Sequence, residues 1–329
     1  MSFSSQDWRP GCSIEMLHRR ASLRQCIREF FFERNYLEVD TPLLSHDTVI
    51  DAHVDPIEVS VTGNRMFLQT SPEAPMKRLL AAGSESIFQI TQAFRSAERG
   101  ILHNPEFMIV EWYGVGDLWR DQMAIVEQLV RAGAEEIQGP LTARLEARAF
   151  SVTTYQQAFK RQLGIDVLSA SDTELRKCSA EYLCISPLPD TRDDLLNLLL
   201  VSEIEPRLGF SEPEFLVDYP VSQAALAESS PVDPRIARRF ELYVDGIELC
   251  NGYQELTDAD ELRLREATQQ ADRRRLKSSE FPGARRLLAA MDSGMPTCSG
   301  VAMGFDRLLM ILTGHDLLSS VLPFSVEQA

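Results

Sequence analysis

Two stretches of this 329-residue chain gather side chains able to handle phosphate, carboxylate and ammonium groups. In "FRSAERGILHNPEF", Arg95 ends an alternating run, and Glu98, His103, Asn104 and Glu106 crowd the polar loop that follows. The next run, "MIVEWYG", carries Glu111 and Tyr113 two residues apart, so they share one face of a strand. A carboxylate on an inward sheet face is costly unless it meets a cation or a metal. Arg95 and Glu98 at i, i+3 also read as a surface ion pair of little worth. The second stretch, "RFELYVDGIELCNGYQEL", turns at Asp245-Gly246. A two-residue hairpin there puts Glu241 and Glu248 on one face and Asn251, Tyr253 and Glu255 on the other parity. An irregularity near Gly252 is therefore expected if both sets serve one pocket. Glu241 and Glu248 suit Mg²⁺, which prefers carboxylate oxygen, and suit a pair of solvent-facing glutamates equally well.

A third stretch, "SGVAMGFDRLL", has glycines at Gly300 and Gly304, Ala302 between them, and Arg307 opening an amphipathic run. It is neither a GxxxxGK[ST] loop nor a GxGxxG turn, the two common phosphate cradles. Glycines beside a strand are often there for packing alone.

The elements that must position these residues follow from periodicity. Ile14 to Asn35 is expected to be a helix, with Leu17, Ala21, Ile27 and Phe30/Phe31 forming its apolar stripe. Leu37 to Val39 is expected to be extended. A strand through "RMFLQ" leads to a helix ending at Gly83, with Ser71 as its cap. "SIFQITQAF" and "MIVEWYG" form a hairpin, and Asp117 to Gly133 a helix. From Gln138 to Arg238 the signals are mixed, apart from a helix at Asp193 to Glu205 and a strand "EFLVDYP". A charged helix capped by Thr257 carries Arg273 to Arg275, read as a solvated face. "TCSGVAMG" is a last strand, followed by a helix from Asp306. Strands joined mainly by hairpins predict an α+β fold with an antiparallel sheet flanked by helices.

Composition narrows the partners. The formal net charge of −16 disfavours a broad nucleic-acid surface but leaves room for a nucleotide held by a few arginines. The six cysteines form no CxxC pair and the five histidines are dispersed, so no zinc site is expected and the thiols are read as reduced. No apolar run reaches the length of a membrane helix, and "MSFSSQDWRPG" has no signal pattern. A cytoplasmic protein with no membrane partner is the expectation.

In order along the chain, "NYLEVDTP", "FRSAERGILHNPEFMIVEWY" and "GVAMGFDR" resemble motifs 1, 2 and 3 of the class II aminoacyl-tRNA synthetases. "TSPE", "HNPEF" and "ELCNGYQEL" are similar to the lysyl-tRNA synthetase subgroup, and the likeness runs from Ile14 onward. It implies a class II catalytic core as a single domain over residues 1–329, ATP and Mg²⁺ as cofactors, and an acyl-adenylate intermediate. By this likeness Arg95 and Arg307 are catalytic, gripping the α-phosphate and the far end of a bent ATP. Ser96, Ala97, Glu98, Asn104, Glu248, Leu249 and Gly304 complete the nucleotide site, with Mg²⁺ on Glu241 and Glu248. The chain has Ala97 where lysyl synthetases usually place a glutamate, so Glu98 or the Ala97 backbone takes the adenine contact. Ser71, Pro72, Glu73, Glu111, Tyr113, Asn251, Tyr253, Glu255 and Ala302 match the amino-acid pocket. A diamino acid brings two ammonium groups, and several carboxylates suit it.

Lysyl-tRNA synthetases carry an anticodon-binding barrel ahead of motif 1. This chain begins too close to motif 1 for one, so no such domain and no tRNA acceptor are expected. Lysyl-synthetase-like chains of this length resemble ligases that join β-lysine to a lysine side chain of elongation factor P. The family's middle motif 3 glycine is Ala302 here. Its methyl group would crowd an α-amine and favour a β-positioned one, although neutral drift from glycine reads the same way. β-Lysine, with α-lysine weaker, is the expected substrate, and the motif 1 helix implies a homodimer. A free-standing lysine-activating ligase with another acceptor, and a non-catalytic regulatory subunit, stay open.

Overall fold

The computed structural model describes residues 8–48 and 54–329. The opening residues of the stretch examined for a signal pattern lie outside them. Among the described residues eleven strands are formed: β1 (Leu37–Glu38), β2 (Leu44–Ser45), β3 (Glu58–Val61), β4 (Asn64–Leu68), β5 (Ile87–Phe94), β6 (Glu106–Val115), β7 (Ser151–Thr154), β8 (Glu214–Pro220), β9 (Ile236–Val244), β10 (Ile247–Gln254) and β11 (Cys298–Gly304). Eight make one sheet in the order β1-β5-β6-β11-β10-β9-β8-β7. It is antiparallel except for the edge pairs β1–β5 and β7–β8, as the hairpin-rich sequence predicts. β2, β4 and β3 form a separate three-stranded sheet.

The helices are α1 (Ile14–Phe32), α2 (Glu73–Ala81), α3 (Trp119–Ile137), α4 (Thr142–Ala147), α5 (Tyr155–Leu163), α6 (Asp172–Tyr182), α7 (Arg192–Leu199), α8 (Ala259–Arg275), α9 (Arg285–Asp292) and α10 (Phe305–Leu312). Apolar residues of α1, α3 and α10 share one core with the sheet residues Phe88, Val110, Trp112, Phe240, Leu242, Val301 and Met303. The Phe31 ring lies 4.8 Å from that of Phe88 and 5.1 Å from that of Trp112. Because side chains alternate along a strand, the residues between these project from the opposite face. That face carries Glu111, Tyr113, Arg239, Glu241 and Ala302. The core thus fixes the plane on which the chemistry is displayed.

Several local expectations are corrected. The buried stripe of α1 is Met16, Leu23, Ile27, Phe30 and Phe31, and Ala21 is exposed. α2 has Pro72 at its N-cap, with the Ser71 hydroxyl accepting from Glu73 N–H at 3.4 Å. α8 is capped by Asp258 rather than Thr257, its carboxylate accepting from Asp260 and Glu261 N–H at 2.8 and 3.1 Å. Arg273 is fully buried rather than solvated, paired with Asp55 at 2.5 Å and lying over the Phe281 ring. The mixed region folds into α5, α6 and α7 with its own core around Tyr155, Phe159, Leu175 and Leu195. α7 continues through a π-wound turn, Leu200–Ile204, and a 3₁₀ turn, Glu205–Arg207.

Candidate active site

Ser71, Glu73, Arg95, Glu98, Asn104, Glu111, Tyr113, Glu241, Glu248, Leu249, Asn251, Tyr253, Glu255, Ala302, Gly304 and Arg307 line one cavity of about 930 Å³. Pro72, Ser96 and Ala97 do not line it. Pro72 is spent on the start of α2. Ser96 and Ala97 are exposed, with Ser96 N–H donating to Asp55 O at 2.9 Å and Ala97 O accepting from Arg99 N–H at 3.1 Å.

The β9–β10 hairpin aims both parities into this cavity by a bulge, and the bulge is at Leu249 rather than near Gly252. Asp245 and Gly246 take the left-handed conformation a two-residue turn needs, with φ of 52° and 74°. Glu248 then pairs with Tyr243, but Cys250 pairs with Leu242, so Leu249 is the extra residue. Beyond it Asn251 faces Glu241 and Tyr253 faces Arg239, all on the face that Glu248 also occupies. Leu249 itself is buried in the core. Gly252 stays in regular register with Phe240, and a Cβ there would stand 2.3 Å from that ring. Close packing, not irregularity, demands that glycine.

At one end of the cavity the carboxylates collect. Tyr113 Oη donates to Glu111 Oε1 at 2.7 Å, while Glu111 Oε2 is buried with no hydrogen-bond partner among the described residues. Burial, aided by Glu73, raises Glu111 to about 8, and burial raises Glu255 to about 7 against the pull of a lysine. That lysine is Lys77, whose Nζ lies 2.7 Å from Glu73 Oε1 and 2.5 Å from Glu255 Oε2. A Cβ on Gly300 would come within 2.3 Å of the Tyr113 ring and 2.4 Å of Glu255 Oε1, so only glycine fits beside this cluster. An unpartnered buried carboxylate oxygen beside a phenol is a receptor for an ammonium group.

Guanidinium groups mark the other end. Arg95 lies over the Phe107 ring, donating to Thr70 O at 3.3 Å and to Glu98 Oε1 at 2.9 Å. The Arg95–Glu98 ion pair and the cavity lining are thus both true of these residues. Arg307 Nη1 donates to Glu248 O at 2.9 Å, and its Nη2 sits 2.8 Å from His103 Nε2. Burial and the Arg307 and Arg95 charges push His103 below its usual range, so a neutral imidazole accepts this bond. Arg307 is held at the start of α10, whose Asp306 accepts from Arg20 at 2.5 Å and from Met108 N–H at 2.7 Å. A Cβ on Gly304 would meet nothing nearer than Arg307 carbons at 3.6 Å. That open ground beside the Arg307 guanidinium has room for phosphate oxygens. The Asn104 amide is committed to the fold, bonding Glu106 O at 2.6 Å and Val326 N–H at 3.0 Å.

The expected metal pair is built unequally. Glu241 is buried, with Oε1 2.6 Å from Arg239 Nη2 and Oε2 accepting from Tyr243 Oη at 2.6 Å and from Tyr219 Oη. Glu248 is more open, with Oε2 3.4 Å from Arg307. Among the described residues no group of three or more His, Cys, Asp or Glu side chains is gathered closely enough to cage a metal. Two carboxylates fit Mg²⁺, which is commonly shared between one or two carboxylates and substrate phosphates.

Sequence reasoning missed Lys77, Arg239, Arg20 and Glu205. Lys77 had a signal: it falls four residues after Glu73, on the face of α2 that buries Met76 and Leu80. Arg239 shares strand parity with Glu241. Glu205, delivered by the turns after α7, has Oε1 3.2 Å from Tyr243 Oη, whose proton goes to the nearer Glu241. Burial, then Glu241 and Glu248, raise it to about 8. No local pattern announces it.

A mostly antiparallel sheet that carries arginines and carboxylates on one face, with a motif 3 glycine strand at its centre, defines the class II synthetase core. The chain belongs to the class II tRNA synthetases (D, K and N), whose family model matches residues 5–328. Among curated proteins it is similar to the elongation factor P–(R)-β-lysine ligase of Proteus mirabilis, 43% identical over 98% of each chain. The protein of that name from Klebsiella pneumoniae is 42% identical over 98% of each chain. That of Vibrio cholerae is 41% identical over 99% of this chain and 100% of its own.

Proposed function

We propose that this chain is an ATP-dependent ligase that activates a diamino acid, (R)-β-lysine before α-lysine, and joins it to a lysine side chain of elongation factor P. The observation that carries the reading is the polarity of the cavity, with ammonium receptors at one end and guanidinium groups at the other. Relatives that share nearly its full length bear that name, which supports the acceptor.

The residues suit two group transfers. The amino-acid carboxylate, drawn to Arg95, attacks the α-phosphorus of ATP. A P–O bond forms as the bond to pyrophosphate breaks, and Arg307 balances charge at the departing end. The acceptor amine then attacks the acyl carbon, an amide bond forms, AMP leaves and a proton is released. Aligned charge does this work without a protein nucleophile. Mg²⁺ on Glu241 and Glu248 would neutralise phosphate charge. Glu111 and Tyr113 would take the side-chain ammonium with Glu255 behind them, and Glu73 the second amine.

No helix among the described residues is long and apolar enough to cross a membrane. The substrates of this reading place the enzyme in the cytoplasm. The exposed apolar Ile14, Phe32 and Leu37 on α1 and β1 suit a homodimer seam. ATP–pyrophosphate exchange with β-lysine and α-lysine, followed by intact-mass measurement of elongation factor P, tests the reading. Exchange and a one-lysine mass gain are expected. No exchange would favour a silent paralogue, and exchange with tRNA charging but no mass gain would assign another acceptor.

A further inference from the structure

A lysine buried under an ammonium-binding pocket is at first sight out of place. Lys77 is 2% exposed and does not line the cavity. It stands behind two residues that do, Glu73 and Glu255, and takes one oxygen of each. Burying an ammonium is expensive, and a buried ion pair is often no better for stability than apolar side chains of the same volume. α2 already buries Met76 and Leu80 on this face, so an apolar residue at 77 would continue its stripe. The charge at this position therefore has to be explained by the pocket rather than by the fold.

The charge count supplies the explanation. Three carboxylates, Glu73, Glu111 and Glu255, meet at this end, and Lys77 is the cation paired to two of them. Without it, these buried carboxylates would repel one another more strongly and hold protons more tightly in the absence of substrate. With it, three ionised carboxylates are matched once a diamino acid adds its two ammonium groups to the one that Lys77 supplies. Glu111, the third carboxylate, keeps an oxygen with neither a hydrogen bond nor an ion pair among the described residues, whereas Glu255 Oε2 has the Lys77 charge beside it.

We infer that Lys77 is a positioning residue for the amino-acid substrate: a built-in ammonium that holds Glu73 and Glu255 as a fixed pair and leaves Glu111 to meet the incoming ammonium. The inference rests on the proposed binding of a diamino acid in this cavity. It also makes Lys77 a selectivity device, since a pocket balanced in this way lacks one countercharge for a neutral side chain.

The test is ATP–pyrophosphate exchange by the full chain carrying Lys77→Met, Lys77→Gln, Glu255→Gln or Lys77→Met with Glu255→Gln, with a melting temperature for each. For Lys77→Met the amino-acid KM should rise about ten- to a hundredfold, the worth of one charge-assisted contact, while the ATP KM stays put. Lys77→Gln keeps hydrogen-bonding capacity without charge and gives the same readout if the methionine variant does not fold. Because Lys77 acts through Glu255, the double variant should bind amino acid no worse than the weaker single variant. An unmoved amino-acid KM, equal rises for both substrates, or losses that simply add would each overturn the inference. If the unmodified chain exchanges with neither lysine, the proposed function falls and the inference with it. If it exchanges and only the variants behave as wild type, the inference falls alone.

Discussion

Ala302 and Glu111 are directly opposed across β11 and β6, and Asn251 flanks Ala302 on its other side. The methyl group that replaces the glycine usual in lysyl-tRNA synthetases therefore stands at the centre of the proposed amino-acid pocket, between the Glu111 carboxyl and the Asn251 amide. Ala302→Gly opens space there without touching a charge. It should improve kcat/KM for α-lysine relative to β-lysine by about tenfold, the scale of one methyl group in a fitted pocket. Exchange kinetics with both amino acids check this. An unchanged ratio would make Ala302 a neutral replacement.

Glu111 gives the pocket a pH signature. Burial, with Glu73 and Glu255 adding and Tyr113 and Lys77 opposing, lifts it from 4.5 to about 8. A carboxyl raised in the folded state binds more protons folded than unfolded between those values. Its contribution to stability is therefore lost as pH rises through that window. Glu255 and Glu205, raised to about 7 and about 8, act in the same direction. A diamino acid favours the ionised form, so lysine should raise the melting temperature more near pH 8 than near pH 6. Glu111→Gln should flatten part of the slope without ligand and remove the lysine response. A pH-independent lysine shift in the unmodified chain would take Glu111 out of this role.

Two glycines separate packing from binding. At Gly252 the Phe240 ring leaves no space for a methyl group, so Gly252→Ala should lower stability by about 1–3 kcal/mol. At Gly304 a methyl group meets only ordinary contacts, so Gly304→Ala should melt near the unmodified chain. Its cost should appear instead as a higher ATP KM, because the added carbon occupies the open ground beside Arg307. Calorimetry and exchange kinetics on the same two variants read both effects. A Gly304→Ala protein with normal ATP KM would remove the glycine from the nucleotide site.

The motif 1 face offers a simpler readout. Phe32 is half exposed at the end of α1, with its ring centre 5.5 Å from that of Phe88 in an edge-on arrangement. Phe32→Asp should convert a dimer to a monomer in light scattering at micromolar concentration. A monomeric unmodified chain would exclude this seam.

What the sequence made legible was local. Asp245-Gly246 announced its turn, and the alternation through Glu111 and Tyr113 announced a strand with two different faces. The bulge at Leu249 was not announced, because it is the core's demand for that leucine, not any turn residue, that shifts the register. Gly252 attracted the prediction instead, although its reason is the Phe240 ring packed over it. Arg273 looked solvated within a basic run, yet its partner Asp55 is 218 residues away in sequence. Glu205 was invisible for the same reason, and Lys77 showed only its spacing from Glu73, since their meaning comes from carboxylates and phenols brought together only by the sheet. The helices between β7 and β8 pack on one another and on Tyr219 and Tyr243, so short apolar runs there carried little period of their own.

Arg307 depends on a contact that reaches back to the first helix. Asp306 is buried, and its two oxygens accept from Arg20 of α1 and from the Met108 N–H of β6. The Arg20 guanidinium in turn lies over the Phe305 ring, 4.8 Å from its centre. Asp306→Asn keeps the size of the side chain but leaves the Arg20 charge uncompensated in a buried place, at a cost of about 3–5 kcal/mol. At about 2–4 °C per kcal/mol for a chain of this order, the melting temperature should fall by roughly ten degrees. The functional loss should be selective, because Asp306 ties the start of α10 to β6 and so sets where Arg307 meets Glu248 and His103. ATP KM should rise more than amino-acid KM, the opposite of the pattern expected at Lys77. Equal rises in both would mean that Asp306 supports the whole core rather than the nucleotide end of the cavity.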